Sequence, residues 1–155
     1  MESLRVSEIM TTPAWTLQAT DPVAKAKALL SDRRIRRLPV LEGDRLVGIL
    51  SDRDLRPCAS PAPAGPLPLV SSGCETSRRL DRIHVLEIMR RTPVSIGPYH
   101  TVREAARLMA DHELHALPVV DQNRVIGIIT QTGVLRALLD NPGVSTPPER
   151  SRSSA

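Results

Sequence analysis

Leu46-Val-Gly-Ile-Leu-Ser51 and Val125-Ile-Gly-Ile-Ile-Thr130 are one pattern written twice, 79 residues apart. Each is an apolar run interrupted by a single glycine and closed by a hydroxyl residue. Working outward, Arg37-Leu-Pro-Val40 meets Ala116-Leu-Pro-Val119 at the same offset, and Val6-Ser-Glu-Ile-Met10 meets Val85-Leu-Glu-Ile-Met89. Val23, Ala26 and Leu29 likewise meet Val102, Ala105 and Leu108, and only near Pro13 and Pro93 does the offset slip to 80. Agreement at so many separated points identifies a tandem duplication.

Each copy reads as strand, helix, hairpin, helix. Ala14-Trp-Thr-Leu17 and Val94-Ser-Ile96 are short extended pieces. In the first copy Asp21 is placed to cap the next helix, with Pro22 at the first helical position, where a missing N–H costs nothing. In the second, Thr101-Val-Arg-Glu104 is a capping box opening a helix to about Asp111, with Val102, Ala105, Ala106 and Met109 on one face. Leu38–Leu41 turns through Glu42-Gly43-Asp44 into Leu46–Leu50, and Leu117–Val120 turns through Asp121-Gln-Asn123 into Val125–Ile129. Gly and Asn supply the positive φ angles such turns need. The strands are continuously apolar, which predicts burial on both faces. A last helix is predicted to start at Ser51 or Thr130 as N-cap. Pro57 cuts the first short, and the second runs through Val134, Leu135 and Leu138 to Asp140. The fold expected is α+β, two tandem β-α-β-β-α repeats.

The division of the chain follows from composition. Repeat one covers 1–56. A Pro/Ala/Ser-rich linker covers 57–84, with Leu80, Ile83 and Leu86 hinting at a short helix. Repeat two covers 85–140, and 141–155 reads as a disordered tail. With 41% hydrophobic and 25% charged residues the composition is that of a globular protein. Trp15 and Tyr99 are its only aromatic residues, so the core must be aliphatic. The net charge of +4 is spread thinly and gathers locally only at Arg33, Arg34, Arg36 and Arg37. Scarce aromatics and balanced charge argue against nucleic-acid binding. No apolar run approaches the length of a membrane span, and no signal-peptide core is seen, so the expected compartment is cytoplasmic. There Cys58 and Cys74 should stay reduced rather than clip the linker shut.

The ordered set of a Met-containing lead-in, a helix, a hairpin with Leu-Pro-Val and a closing Gly-Ile-Leu-Ser-x-x-Asp resembles the CBS (cystathionine-β-synthase) domain. Two copies in tandem resemble the usual CBS pair, over residues 6–56 and 85–138. The resemblance implies sheets packed together about a pseudo-two-fold axis. It also implies two clefts able to hold adenosine-containing ligands (AMP, ADP, ATP or S-adenosylmethionine), and homodimers of pairs arranged as a flat disc. The family's ribose-binding carboxylate falls on Asp54. A carboxylate can accept two hydroxyl hydrogen bonds from a ribose edge, and a helix start with Ser51 favours an anion such as phosphate. The residues alone equally allow Asp54 to complete an N-terminal cap with Ser51 and do nothing more.

In the second copy Gly133 stands where the carboxylate should be. The expectation is therefore one competent site per chain, built from Ser51, Arg53 and Asp54. His115 and Ala116 would reach across from the other copy, and Thr92, Pro93 and Val94 would line the base. Arg36 and Arg37, with Thr130 and Gly133, would border a second, weaker cleft, where the planar guanidinium fork suits phosphate. Arg33 and Arg34 read as a solvated basic face at a helix end.

His112 and His115 lie three apart, but no third ligand is evident, so no metal is expected. No phosphate-binding Gly-x-x-x-x-Gly-Lys loop, nucleophile elbow or dinucleotide fingerprint occurs, and the sequence predicts no enzyme. The reading is a regulatory module with an adenine nucleotide as ligand and no other cofactor, acting on an unidentified protein effector in trans. The alternative is a ligand-free dimerisation scaffold, which Gly133 favours and Asp54 opposes.

Overall fold

A computed structural model of the chain describes residues 4–59, 79–91 and 93–141. The first copy contains α1 (Val6–Ile9), β1 (Leu17–Gln18), α2 (Val23–Arg33), β2 (Arg37–Glu42), β3 (Arg45–Ser51) and α3 (Arg56–Ala59). Helical residues 79–82 (α4) precede the second copy, which contains α5 (Val85–Ile88), β4 (Arg90–Arg91), α6 (Val102–Asp111), β5 (Ala116–Asp121), β6 (Arg124–Thr130) and α7 (Gln131–Asp140). The α+β fold of two repeats expected from the sequence is the one observed. The linker residues 60–78, with Cys74, and the tail from 142 onward lie outside the described residues.

One sheet runs β1-β2-β3-β4, with β1 parallel to β2 and the remaining neighbours antiparallel. The other is the β5–β6 hairpin, flanked by two isolated bridges: Ile96 parallel to Val119 and Thr11 antiparallel to Ile128. At the 79-residue offset these match Leu17 beside Val40 and Arg90 beside Ile49. The lead-ins are therefore exchanged. Thr11, just past α1, pairs with the second copy's sheet, and β4, just past α5, pairs with the first copy's sheet.

Hydrogen bonds at the helix starts carry the same exchange. The first N–H groups of a helix have no partner inside it. Val6 N donates to His100 O at 2.8 Å and Val102 N to Leu4 O at 2.9 Å, while Val85 N donates to Asp21 O and Val23 N to Ile83 O, both at 2.8 Å. Packing follows. Val6 is buried among Ile96, Val102, Leu117 and Ile129 of the second copy. Val85 is buried among Leu17, Ala26, Leu38 and Leu50 of the first. A third small cluster joins Val23, Cys58 and Leu80.

The glycine inside each apolar run is explained by this crossing. A Cβ on Gly48 would lie 2.6 Å from Met89 Sδ and 2.8 Å from the Arg90 carbonyl oxygen. On Gly127 it would lie 2.8 Å from Met10 Sδ and 3.0 Å from the Thr11 carbonyl oxygen. The exchanged chains pass where a side chain would stand.

Several local expectations shift. Pro22, not Asp21, takes the N-cap position of α2. Asp21 instead accepts from Gln18 N at 2.8 Å and pairs with Lys25 Nζ at 2.9 Å. Residues 52–55 form turns, and the closing helix of the first copy begins only at Arg56. The hairpin loops are two residues long. Gly43 has positive φ in the first, and Gln122 as well as Asn123 in the second. β2 and β5 are largely buried, whereas β3 and β6 alternate buried and half-buried residues. Trp15 is 40% exposed, with the Arg33 guanidinium 3.9 Å from its ring centre.

Candidate functional site

The end of β3 fixes the geometry around Asp54. Arg37 and Ser51 are register partners across the β2–β3 hairpin, and directly opposed residues in a pair project to the same face. Asp52 N donates to Arg36 O at 3.0 Å and Asp54 N to Ser51 O at 3.1 Å, closing a turn. Asp54 Oδ2 then accepts from Ser51 N at 2.7 Å and from Ser51 Oγ at 2.8 Å. The capping role that the residues alone allowed is thus present. Both bonds fall on Oδ2, and none found among the described residues falls on Oδ1, so capping leaves acceptor capacity on a half-buried carboxylate.

Asp54 borders a cavity of about 610 Å³ whose wall is drawn from both copies. That volume lies within the range of small-molecule sites. The first copy contributes Arg37, Ile49, Ser51, Arg53 and Asp54. The second contributes Arg90, the stretch from Met109 and Ala110 through His112 to Ala116, and Gln131. Arg37 and Ala116 are equivalent positions at the 79-residue offset, so the cavity reaches the seam between the repeats.

Its electrostatics are predominantly basic. Arg37, Arg53 and Arg90 face Asp54 and Glu113, with His112 and His115 also on the wall. Burial holds the Arg37 guanidinium below the usual arginine value. Asp52 opposes this, Arg53 and Arg36 add to it, and Asp54 opposes it more weakly. A guanidinium stays charged under such a shift. His115 Nδ1 lies 2.8 Å from Gln131 Oε1, and His115 O accepts from Gln131 N at 2.9 Å, tying the wall to the start of α7.

Ser51, Arg53, Asp54, His115 and Ala116 are brought together on this wall. Thr92 lies outside the described residues. Pro93 and Val94 do not line the cavity: Val94 packs on the aliphatic core of the second copy, next to Ile96. Arg37, expected at the second cleft, lines the same cavity as Asp54, because its pairing with Ser51 turns both to one face. Arg36 is exposed and off the wall. Thr130 and Gly133, both half-buried, are off it as well; there Gly133 N donates to Thr130 Oγ1 at 3.2 Å and caps α7. Reading the copies separately missed Arg90, which only the exchange of β4 delivers. It also missed Gln131, whose signal was available in its position directly after the capping Thr130. Among the described residues no cluster of three or more His, Cys, Asp or Glu is placed to hold a metal ion, and no helix is long and apolar enough to cross a membrane.

Residues 6–58 and 85–140 match the CBS domain family. The CBS domain-containing protein YhcV of Bacillus subtilis is 31% identical over 124 residues, covering 80% of this chain and 78% of its own. A CBS domain-containing protein of Dictyostelium discoideum is 33% identical over 137 residues, covering 86% of this chain and 90% of its own. Among solved structures, CBSX2 in complex with AMP aligns with a TM-score of 0.68 at 28% identity, covering 88% of this chain and 97% of that one.

Proposed function

The chain belongs to the CBS domain family, with two copies in tandem, and from that premise we propose that it is a regulatory module binding an adenosine-containing ligand between its repeats. The observation that supports this reading best is the position of Asp54. Its carboxylate stands on the wall of a cavity completed by His115 and Ala116 of the other copy, with one oxygen oriented by Ser51 and acceptor capacity left for a ribose diol. The likeness to an AMP-bound CBS protein agrees with it. A ligand straddling two repeats shifts their packing if it binds two arrangements with different affinity, and a protein partner in trans reads the shift.

Titration calorimetry with AMP on the full chain tests the assignment. Asp54→Ala loses hydrogen bonds to a charged group, worth roughly 1.5–3 kcal/mol each, so AMP affinity falls about tenfold to a hundredfold. Asp54→Asn keeps an acceptor for Ser51 while removing the charge. It should melt close to the parent protein and still bind AMP poorly. Unchanged AMP affinity in both variants rejects the reading. A ligand-free dimerisation scaffold has one observation in its favour: Leu135 and Leu139, one turn apart on α7, are 55% and 80% exposed.

A further inference from the structure

Resting on the reading above, we infer that the two crossings form a redox-sensitive switch. Oxidation of the Met10 and Met89 thioethers to sulfoxides by a peroxide loosens the exchanged lead-ins, and at Met89 it weakens ligand binding. The two side chains hold equivalent places. Each closes its short helix, Met10 N donating to Val6 O and Met89 N to Val85 O, both at 2.9 Å. Each sulfur then lies against the glycine of the other copy's hairpin. A Cβ on Gly127 would stand 2.8 Å from Met10 Sδ, and one on Gly48 2.6 Å from Met89 Sδ. Met10 and Met89 are only half-buried, whereas Met109 is buried in the core of the second copy. A peroxide therefore reaches the crossings while the protein is folded.

The step balances within its two reactants. A sulfur lone pair attacks one oxygen of hydrogen peroxide, the O–O bond breaks, and the other oxygen leaves as water. The sulfur loses two electrons and the peroxide gains them. The product is polar where the thioether was apolar, beside a contact that is already closed. What each sulfur holds in place is small: β4 is two residues long, and Thr11 makes one bridge to Ile128. Pairings this short depend on the packing beside them. Arg90, directly after Met89, is on the wall of the Asp54 cavity, whereas Thr11 is not. Displacing Met89 thus moves part of the ligand site, and displacing Met10 loosens the second sheet alone. A dithiol-dependent methionine sulfoxide reductase returns the thioether, which makes the change reversible.

The test treats the full chain with hydrogen peroxide and follows it by peptide mass spectrometry, hydrogen exchange and AMP calorimetry. Leucine keeps the volume of methionine and is inert to peroxide. Met10→Leu therefore isolates Met89, Met89→Leu isolates Met10, and the double variant removes both. Met10 and Met89 should be oxidised ahead of Met109. Oxidised Met10→Leu should lose protection over residues 45–51 and about tenfold in AMP affinity. Oxidised Met89→Leu should lose protection over residues 124–130 and hold AMP within about twofold. The double variant should change in neither, and reductase treatment should restore the parent protein. In that parent, the same peptides followed against the extent of oxidation at each site give the answer without a substitution. Met10 and Met89 resisting peroxide, or oxidising with protection intact at both crossings, overturns the switch. Loosened crossings with unchanged AMP affinity overturn its control of the ligand. Lost protection in a chain that binds no AMP even before treatment leaves the switch standing and removes the adenosine reading.

Discussion

Ser51 and Thr130 hold the same place in the two repeats, yet the bonds beside them run in opposite directions. In the first repeat the residue three positions on reaches back, Asp54 Oδ2 accepting from the Ser51 N–H and hydroxyl. The chain then continues as turns before the four residues of α3. In the second, Thr130 Oγ1 accepts from Gly133 N, and the ten residues of α7 begin at once. One position, carboxylate or hydrogen, separates a strand end that presents an acceptor from one that only starts a helix. Duplication conserved the scaffold and left the chemistry free to diverge.

The comparison assumes two repeats that depend on each other, and the largest effect tests that dependence. Val6 and Val85 are each fully buried in the core of the other copy. Truncation to alanine removes about two methylene equivalents and leaves a cavity, costing about 2–3 kcal/mol. The expected signature is crossed. In hydrogen exchange, Val6→Ala loosens Leu117 and Ile129, whereas Val85→Ala loosens Leu38 and Leu50. Protection lost within the mutated residue's own repeat refutes the exchange.

Next in size is the conversion of the poorer repeat into the richer one. A Cβ on Gly133 meets only Thr130 Oγ1, at 3.4 Å, so Gly133→Asp fits without displacing backbone. The new carboxylate sits three residues past the cap, where negative charge suits the helix start. Binding at the second cleft should strengthen about tenfold to a hundredfold, and calorimetric stoichiometry with AMP should rise from one toward two per chain. Aspartate is a slightly better helix former than glycine, so the replacement also adds roughly a few tenths of a kcal/mol of stability. A stabilised protein still binding one AMP shows that the carboxylate alone does not make the site.

The duplication, the hairpins and α6 were legible because each is a local pattern: a repeated offset, a turn carrying Gly or Asn between two apolar runs, a capping box with apolar residues on one face. Asp54 was legible as a carboxylate beside Ser51, although the helix start expected there is a run of turns. The exchange of lead-ins was not, since Met10-Thr11 and Met89-Arg90 carry the same local preferences whichever sheet accepts them. Only tertiary closeness, registered in Gly48 and Gly127, decides between the two. The place of Arg37 was hidden for a related reason. Its number assigns it to one copy, but its pairing with Ser51 and the approach of the other repeat decide which cavity it lines.

The smallest effect separates the two helix starts. Glu104 accepts from Thr101 N at 2.7 Å and from Thr101 Oγ1 at 2.9 Å, and those bonds, the backbone one first, hold its carboxyl below the usual range. At the equivalent place in the first repeat stands Lys25, paired with Asp21 below a Pro22 cap that offers no side-chain bond. A carboxylate whose folded pKa is depressed stabilises the protein above its unfolded value of about 4.3 and loses that contribution as pH falls through the folded one. The melting difference between the parent protein and Glu104→Gln should therefore be full near neutral pH and close progressively below about pH 4. Thr101→Ala, which removes the hydroxyl bonds, should shrink that acid-dependent difference. Lys25→Gln, on the other helix, should leave it untouched. A gap that stays constant down the acid limb means that the Thr101–Glu104 contacts contribute nothing specific to the charged form, and the two helix starts are then equivalent despite their different residues.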